Sequence, residues 1–99
     1  MSKMNTENIL TKLRALKPVI TEQYKARNIE LFGSYVRREQ AEGSDIDILV
    51  DFKDGADLFD LIGLAQFLEE KLQRKVDVVP KRALRPELRD AVFREAVSV

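Results

Sequence analysis

The sequence contains neither cysteine nor histidine. The first absence removes disulfides, thiolate nucleophiles, zinc ribbons and iron–sulfur ligation. The second removes a Ser–His–Asp triad and any imidazole-bound zinc. Charge of one sign is also lacking: seventeen Lys plus Arg balance seventeen Asp plus Glu, for a formal net charge of zero. General coating of nucleic acid rests on a large positive excess, so that class is disfavoured. Long apolar runs are missing too. Residues 1–20 lack the uninterrupted apolar stretch of a signal peptide, and no segment approaches the length of a membrane span, so the expected location is the cytoplasm.

Carboxylates are what remain for chemistry. If the chain is an enzyme, its general bases and metal ligands are Asp and Glu, whose oxygens suit hard cations, magnesium or manganese first. With 99 residues and an apolar fraction of 44%, the chain is expected to fold as a single domain over residues 1–99.

Periodicity gives the order of elements. Asn5 or Thr6 can cap a first helix carrying Ile9, Leu10, Leu13 and Leu16 on one side, with Pro18 expected to break it before a second piece ends near Tyr24. Ile29–Phe32 reads as a short strand, Tyr35–Glu39 as one or two helical turns, and Glu42-Gly43-Ser44 as a turn. Asp45–Phe52 is the most strand-like segment. Asp57 then opens a long helix to about Leu72, with Leu58, Leu61, Ile62, Ala65, Leu68 and Leu72 expected inside. Lys75–Val79 reads as a strand stopped by Pro80, and a last helix starts near Pro86 with Leu88, Val92 and Ala96 on one stripe. Phe59, Phe67 and Phe93 fall at helical apolar positions and are expected in the core, and Tyr24 and Tyr35 are expected to pack. The fold class is α/β (α+β), a small mixed β-sheet flanked by helices.

Chemistry concentrates in Ser44-Asp45-Ile46-Asp47-Ile48-Leu49-Val50. Alternation along a strand puts Asp45 and Asp47 on one face and Ile46, Ile48 and Val50 on the other. Two carboxylates this close repel unless a cation lies between them. Alone, the pair reads first as solvated turn residues, because short motifs carry a large false-positive risk. Asp77, flanked by Val76 and Val78, is unusual inside a strand. It is either a third member of the cluster or an edge charge that discourages aggregation. Three carboxylates can hold two magnesium ions about 3.5–4 Å apart, the clamp for in-line displacement at phosphorus. Upstream, Gly33-Ser34 ends a strand and opens a helix; alone it reads first as a turn glycine with a helix cap, but it also offers N–H groups and a hydroxyl to a phosphate, with Arg37 one turn on. Asp51 shares the face of Asp47 but lies about 13 Å along the strand, so solvation is expected there. Lys71, Arg74, Lys75, Lys81, Arg82, Arg85 and Arg89 form a loose basic region, read first as solvated surface and second as a landing strip for an acidic partner.

Taken together, Gly33-Ser34-Tyr35-Val36-Arg37, Ser44-Asp45-Ile46-Asp47-Ile48-Leu49-Val50 and Val76-Asp77-Val78-Val79 resemble the minimal nucleotidyltransferases of the DNA polymerase β superfamily. The long Leu-rich helix and the Leu84–Arg89 segment extend the likeness over nearly the whole chain. The resemblance implies a polymerase-β-like nucleotidyltransferase fold and ATP as substrate. It also implies that Asp45 and Asp47 bind both metal ions. Asp77 would bind the catalytic one and assist deprotonation of the acceptor hydroxyl. Gly33 and Ser34 would take the β- and γ-phosphates, with Arg37 and Ser44 nearby. Val36 stands where the family has Ala, and Arg38 where it has Gly, a bulkier pair expected to narrow the nucleotide entrance. Minimal members of the family pair with a small helical partner of the HEPN class, an RNase toxin. The implied activity is therefore transfer of AMP to a toxin tyrosine, which makes the chain an antitoxin. Transfer to an RNA end or a small molecule, a non-catalytic antitoxin that acts by binding alone, and a structural subunit that binds nucleotide without turnover are the rival readings.

Overall fold

The computed structural model describes residues 5–41 and 43–99. Helix α1 spans Thr6–Gln23, capped by Asn5, whose side chain accepts from the Asn8 N–H at 2.8 Å. It runs unbroken through Pro18, contrary to the expected break. Proline deprives the Arg14 carbonyl of its helical donor, but Arg14, Ala15 and Pro18 all lie on the exposed side, where water can serve that carbonyl. Leu13 and Ile20, both fully buried, anchor the helix on either side of the proline.

Strand β1, Ala26–Phe32, starts three residues earlier than the apolar run suggests, because Ala26 is buried and pairs with the neighbouring strand. Helix α2 is a single turn, Ser34–Arg37, and β2 covers Ile46–Phe52. Glu42, expected in the turn between them, lies outside the described residues. Helix α3, Leu58–Leu72, opens with a reciprocal cap: Asp57 accepts from the Asp60 N–H and Asp60 from the Asp57 N–H. Strand β3, Val76–Pro80, leads through a 3-10 turn at Lys81–Ala83 to helix α4, Pro86–Glu95, and a two-residue strand β4, Val97–Ser98, which the sequence pattern did not reveal.

The strands form one mixed sheet in the order β3-β2-β1-β4. β1 runs antiparallel to β2 and β4, while β3 is parallel to β2 through the α3 crossover. Ile46, Ile48 and Val50 face the main core with Ile9, Leu13, Ile20, Leu64, Leu68 and Leu72. On the opposite face Leu49 is 1% exposed, covered by Leu84 and Val92 of the C-terminal segment. The expected burial on α3 is therefore turned about its axis. Leu64, Leu68 and Leu72 are buried while Leu58 and Ile62 are exposed, since the apolar arc is wider than one contact face and the sheet selects its edge. The stripe on α4 reduces to Val92, with Leu88 exposed. Nor are Phe59, 84% exposed, and Phe93 core residues; Phe93 lies beneath the Lys81 ammonium at 5.2 Å. Phe67 is half-buried and packs on Tyr24, with ring centroids 5.3 Å apart. Among the described residues no helix is long and apolar enough to cross a membrane.

Candidate functional site

The sheet register assembles the acidic residues. Asp47 of β2 pairs with Asp77 of β3 in the parallel ladder, so both side chains emerge on one face of neighbouring strands. Asp45 lies two residues before Asp47, immediately ahead of β2. Asp45 and Asp77 are exposed and Asp47 is half-buried, against the edge of the layer in which Val92 covers Leu49. Burial pushes the Asp47 carboxyl up from its ordinary 3.8 to about 6, and the charges of Asp77, Asp45 and Glu95 push the same way against Arg37. Asp51, by contrast, stands away from the group and faces Arg27 at 3.8 Å.

Gly33 brings the phosphate turn onto this cluster. Its φ of +83° suits glycine, and a Cβ there would lie 2.1 Å from Asp47 Oδ2. Ser34 opens α2 half-buried, and among the described residues its hydroxyl has no hydrogen-bond partner. Ser44 closes the loop before β2: its Oγ accepts the Ala41 N–H at 2.8 Å and its own N–H reaches the Ala41 carbonyl at 3.0 Å. Its hydroxyl is thus engaged in shaping the loop that presents Asp45.

One participant escaped the sequence reading. Glu95, the last residue of α4, accepts the Gly33 N–H at 2.7 Å and Arg37 Nη1 at 3.0 and 3.1 Å. The pairing holds the Arg37 guanidinium above its already high ordinary value. A lone Glu 62 residues from Gly33 carries no local signal; only docking of α4 on the sheet brings it there. The two departures at α2 each have a partner in the fold. Val36 packs on the main core, and Arg38 reaches Glu7 at 2.8 Å. Arg38 adopts φ +58°, a left-handed conformation that explains why glycine suits this position.

The donor set is all oxygen and suits a hard divalent cation. Unrelieved repulsion around Asp47 points the same way. Among the described residues no three acidic side chains converge tightly enough to grip an ion.

A profile described as "Nucleotidyltransferase domain" matches residues 13–99. The chain belongs to that nucleotidyltransferase family. The protein adenylyltransferase MntA of Thermococcus cleftensis is 41% identical over 99 residues, covering the whole of both chains. A solved structure provisionally assigned as a minimal nucleotidyltransferase superposes with a TM-score of 0.85 at 36% identity, over all of both chains. A further solved structure is a complex of a tri-AMPylated HEPN toxin of Shewanella oneidensis with an MNT antitoxin. It matches with a TM-score of 0.63 at 30% identity, over 90% of this chain and 68% of that one. The mixed sheet with flanking helices is thus the nucleotidyltransferase fold the motifs implied.

Proposed function

We propose that residues 1–99 act as a single nucleotidyltransferase unit that moves AMP from ATP onto a tyrosine hydroxyl of a cognate helical toxin of the HEPN class, silencing it in the cytoplasm. The observation that carries this reading is the lateral pairing of Asp47 with Asp77, with the Gly33 turn packed directly on Asp47. The relatives support the acceptor: one is named a protein adenylyltransferase, and another is an antitoxin bound to an AMPylated toxin.

In this reading Asp45, Asp47 and Asp77 hold divalent cations, magnesium or manganese, which supply charge neutralisation at the transferring phosphoryl group when bound. Ser34, through its N–H and hydroxyl, and Arg37, through its planar fork, hold the β- and γ-phosphates. Gly33 permits the close approach of that turn to Asp47, and Ser44 fixes the loop that aims Asp45. The acceptor oxygen attacks the α-phosphorus, the bond from that phosphorus to the bridging oxygen breaks, and pyrophosphate leaves. Asp77 takes the proton lost by the acceptor hydroxyl. Positioning and fixed charge account for most of the rate, since little covalent work falls to the protein.

Intact mass spectrometry tests this directly. The HEPN-type partner is incubated with the chain, magnesium and ATP, beside an Asp45→Asn/Asp47→Asn control. Whole AMP units gained only with the unaltered chain support transfer. A toxin silenced equally by both versions with no mass change would leave a binding antitoxin instead.

A further inference from the structure

Glu95 occupies a place that electrostatics alone disfavours. It is the final residue of α4, where the helix carbonyls repel a carboxylate, and it adds to the negative charge acting on Asp47. Its two partners offset this cost: the Gly33 N–H at 2.7 Å and Arg37 Nη1 at 3.0 and 3.1 Å. Charge-assisted bonds of this length bind the turn and the guanidinium to one carboxylate.

The carboxylate is itself held from behind. Directly after it, β4 joins the sheet with Val97 opposite Leu31 and Ser98 opposite Glu30. The Val99 N–H donates to the Ile29 carbonyl at 3.2 Å, and Lys17 Nζ donates to the Val99 carbonyl at 3.0 Å. Glu95 is therefore fixed between a helix end and a strand, with little freedom to swing away.

Arg37 is held at two of its three guanidinium nitrogens. Nη1 goes to Glu95 and Nε to Glu39 at 3.4 Å, while among the described residues Nη2 makes no hydrogen bond. That leaves one arm of the fork for an incoming phosphate. We propose that Glu95 is a positioning residue for the nucleotide: it orders Arg37 and the Gly33 turn before ATP arrives, and β4 exists in part to hold Glu95 there. The inference rests on the nucleotidyl-transfer reading and deepens it. Ordering a long side chain in advance removes an entropy cost that binding otherwise carries.

The test is direct titration of ATP with magnesium into the unaltered chain and into Glu95→Ala, Glu95→Gln, Arg37→Ala, Arg37→Ala/Glu95→Ala and Arg37→Ala/Glu95→Gln. Thermal melts are recorded in parallel. Glu95→Ala is expected to weaken ATP binding about tenfold, the scale of one lost charge-assisted hydrogen bond. Glu95→Gln, which keeps an acceptor for Gly33, should fall between the two. In the Arg37→Ala background, removing Glu95 should cost markedly less, because the two act as one unit. Should Glu95→Ala fail to fold, the Glu95→Gln comparison with and without Arg37 carries the test. Unchanged or tighter binding in the Glu95 variants would overturn the inference, the latter by marking Glu95 as an occluding group. Lack of ATP binding by the unaltered chain would instead overturn the nucleotidyl-transfer reading, and this inference with it.

Discussion

Gly33 lies so close beneath Asp47 that a single methyl group on its Cα would sit 2.1 Å from Asp47 Oδ2. Its positive φ strains any side chain, and the contact obliges the Asp47 carboxylate to move. Gly33→Ala is accordingly expected to destabilise the fold by about 1–3 kcal/mol, through left-handed strain and displacement of the carboxylate. Chemical denaturation measures the loss, and ATP titration reports the accompanying distortion. A variant as stable as the parent would show that the turn yields more easily than its geometry implies.

Asp47 sets the pH response. Its folded-state value near 6 lies above the ordinary 3.8, so between those limits the folded chain binds more protons than the unfolded one. Stability therefore falls as pH rises through that window, and the penalty is complete above it. Asp47→Asn should raise stability near pH 7.5 by on the order of 1 kcal/mol after discounting for solvent screening, with the gain vanishing below about pH 4. Transfer moves oppositely. Proton and cation compete for Asp47, so at limiting magnesium the rate should decline as pH falls, with a midpoint that moves lower as magnesium is raised. Melting curves and rates recorded over the same pH series check both signs.

Asp77 faces Asp47 across the ladder but is exposed, so it contributes little to packing. Asp77→Asn should lower AMP transfer by about a hundredfold or more, the usual scale for losing one charged group from such a site. Its melting temperature should stay within a few degrees of the parent. Rates of AMP incorporation read by mass decide the point, and near-normal transfer would remove Asp77 from the proposed mechanism.

The core prediction separates two residues of α3. Leu64 is fully buried against the sheet, whereas Phe59 is 84% exposed. Leu64→Ala is expected to cost about 2–5 kcal/mol, and Phe59→Ala to fall within roughly 0.5 kcal/mol of the parent. Urea unfolding of both variants gives the contrast, in which Phe59 departs from the core position that the sequence pattern suggests.

Pro18 interrupts hydrogen bonding within a helix that nonetheless continues. Pro18→Ala restores one donor in a helical setting and should stabilise the chain by about 1–3 kcal/mol. A neutral or negative change in melting temperature would mean that the proline also restrains the unfolded chain to a comparable degree.

Most of the elements and the candidate acidic motif were legible in the sequence, because those signals are local. Cys and His were absent, Ser44-Asp45-x-Asp47 set two carboxylates on one face by strand alternation, and Asp57 marked the start of α3 by its capping geometry. The Gly-Ser turn, the acidic pair and the distal Asp were legible as one motif whose parts had to meet. Tertiary structure decided how they met. Parallel pairing of β2 with β3 placed Asp77 beside Asp47, a register no local pattern specifies. Packing also chose which edge of a wide apolar arc α3 would bury, and let Leu13 and Ile20 carry α1 across Pro18. Glu95 and β4 were invisible for the same reason: a two-residue strand has no periodicity, and a single Glu acquires meaning only when α4 covers Leu49 and delivers it to Gly33 and Arg37.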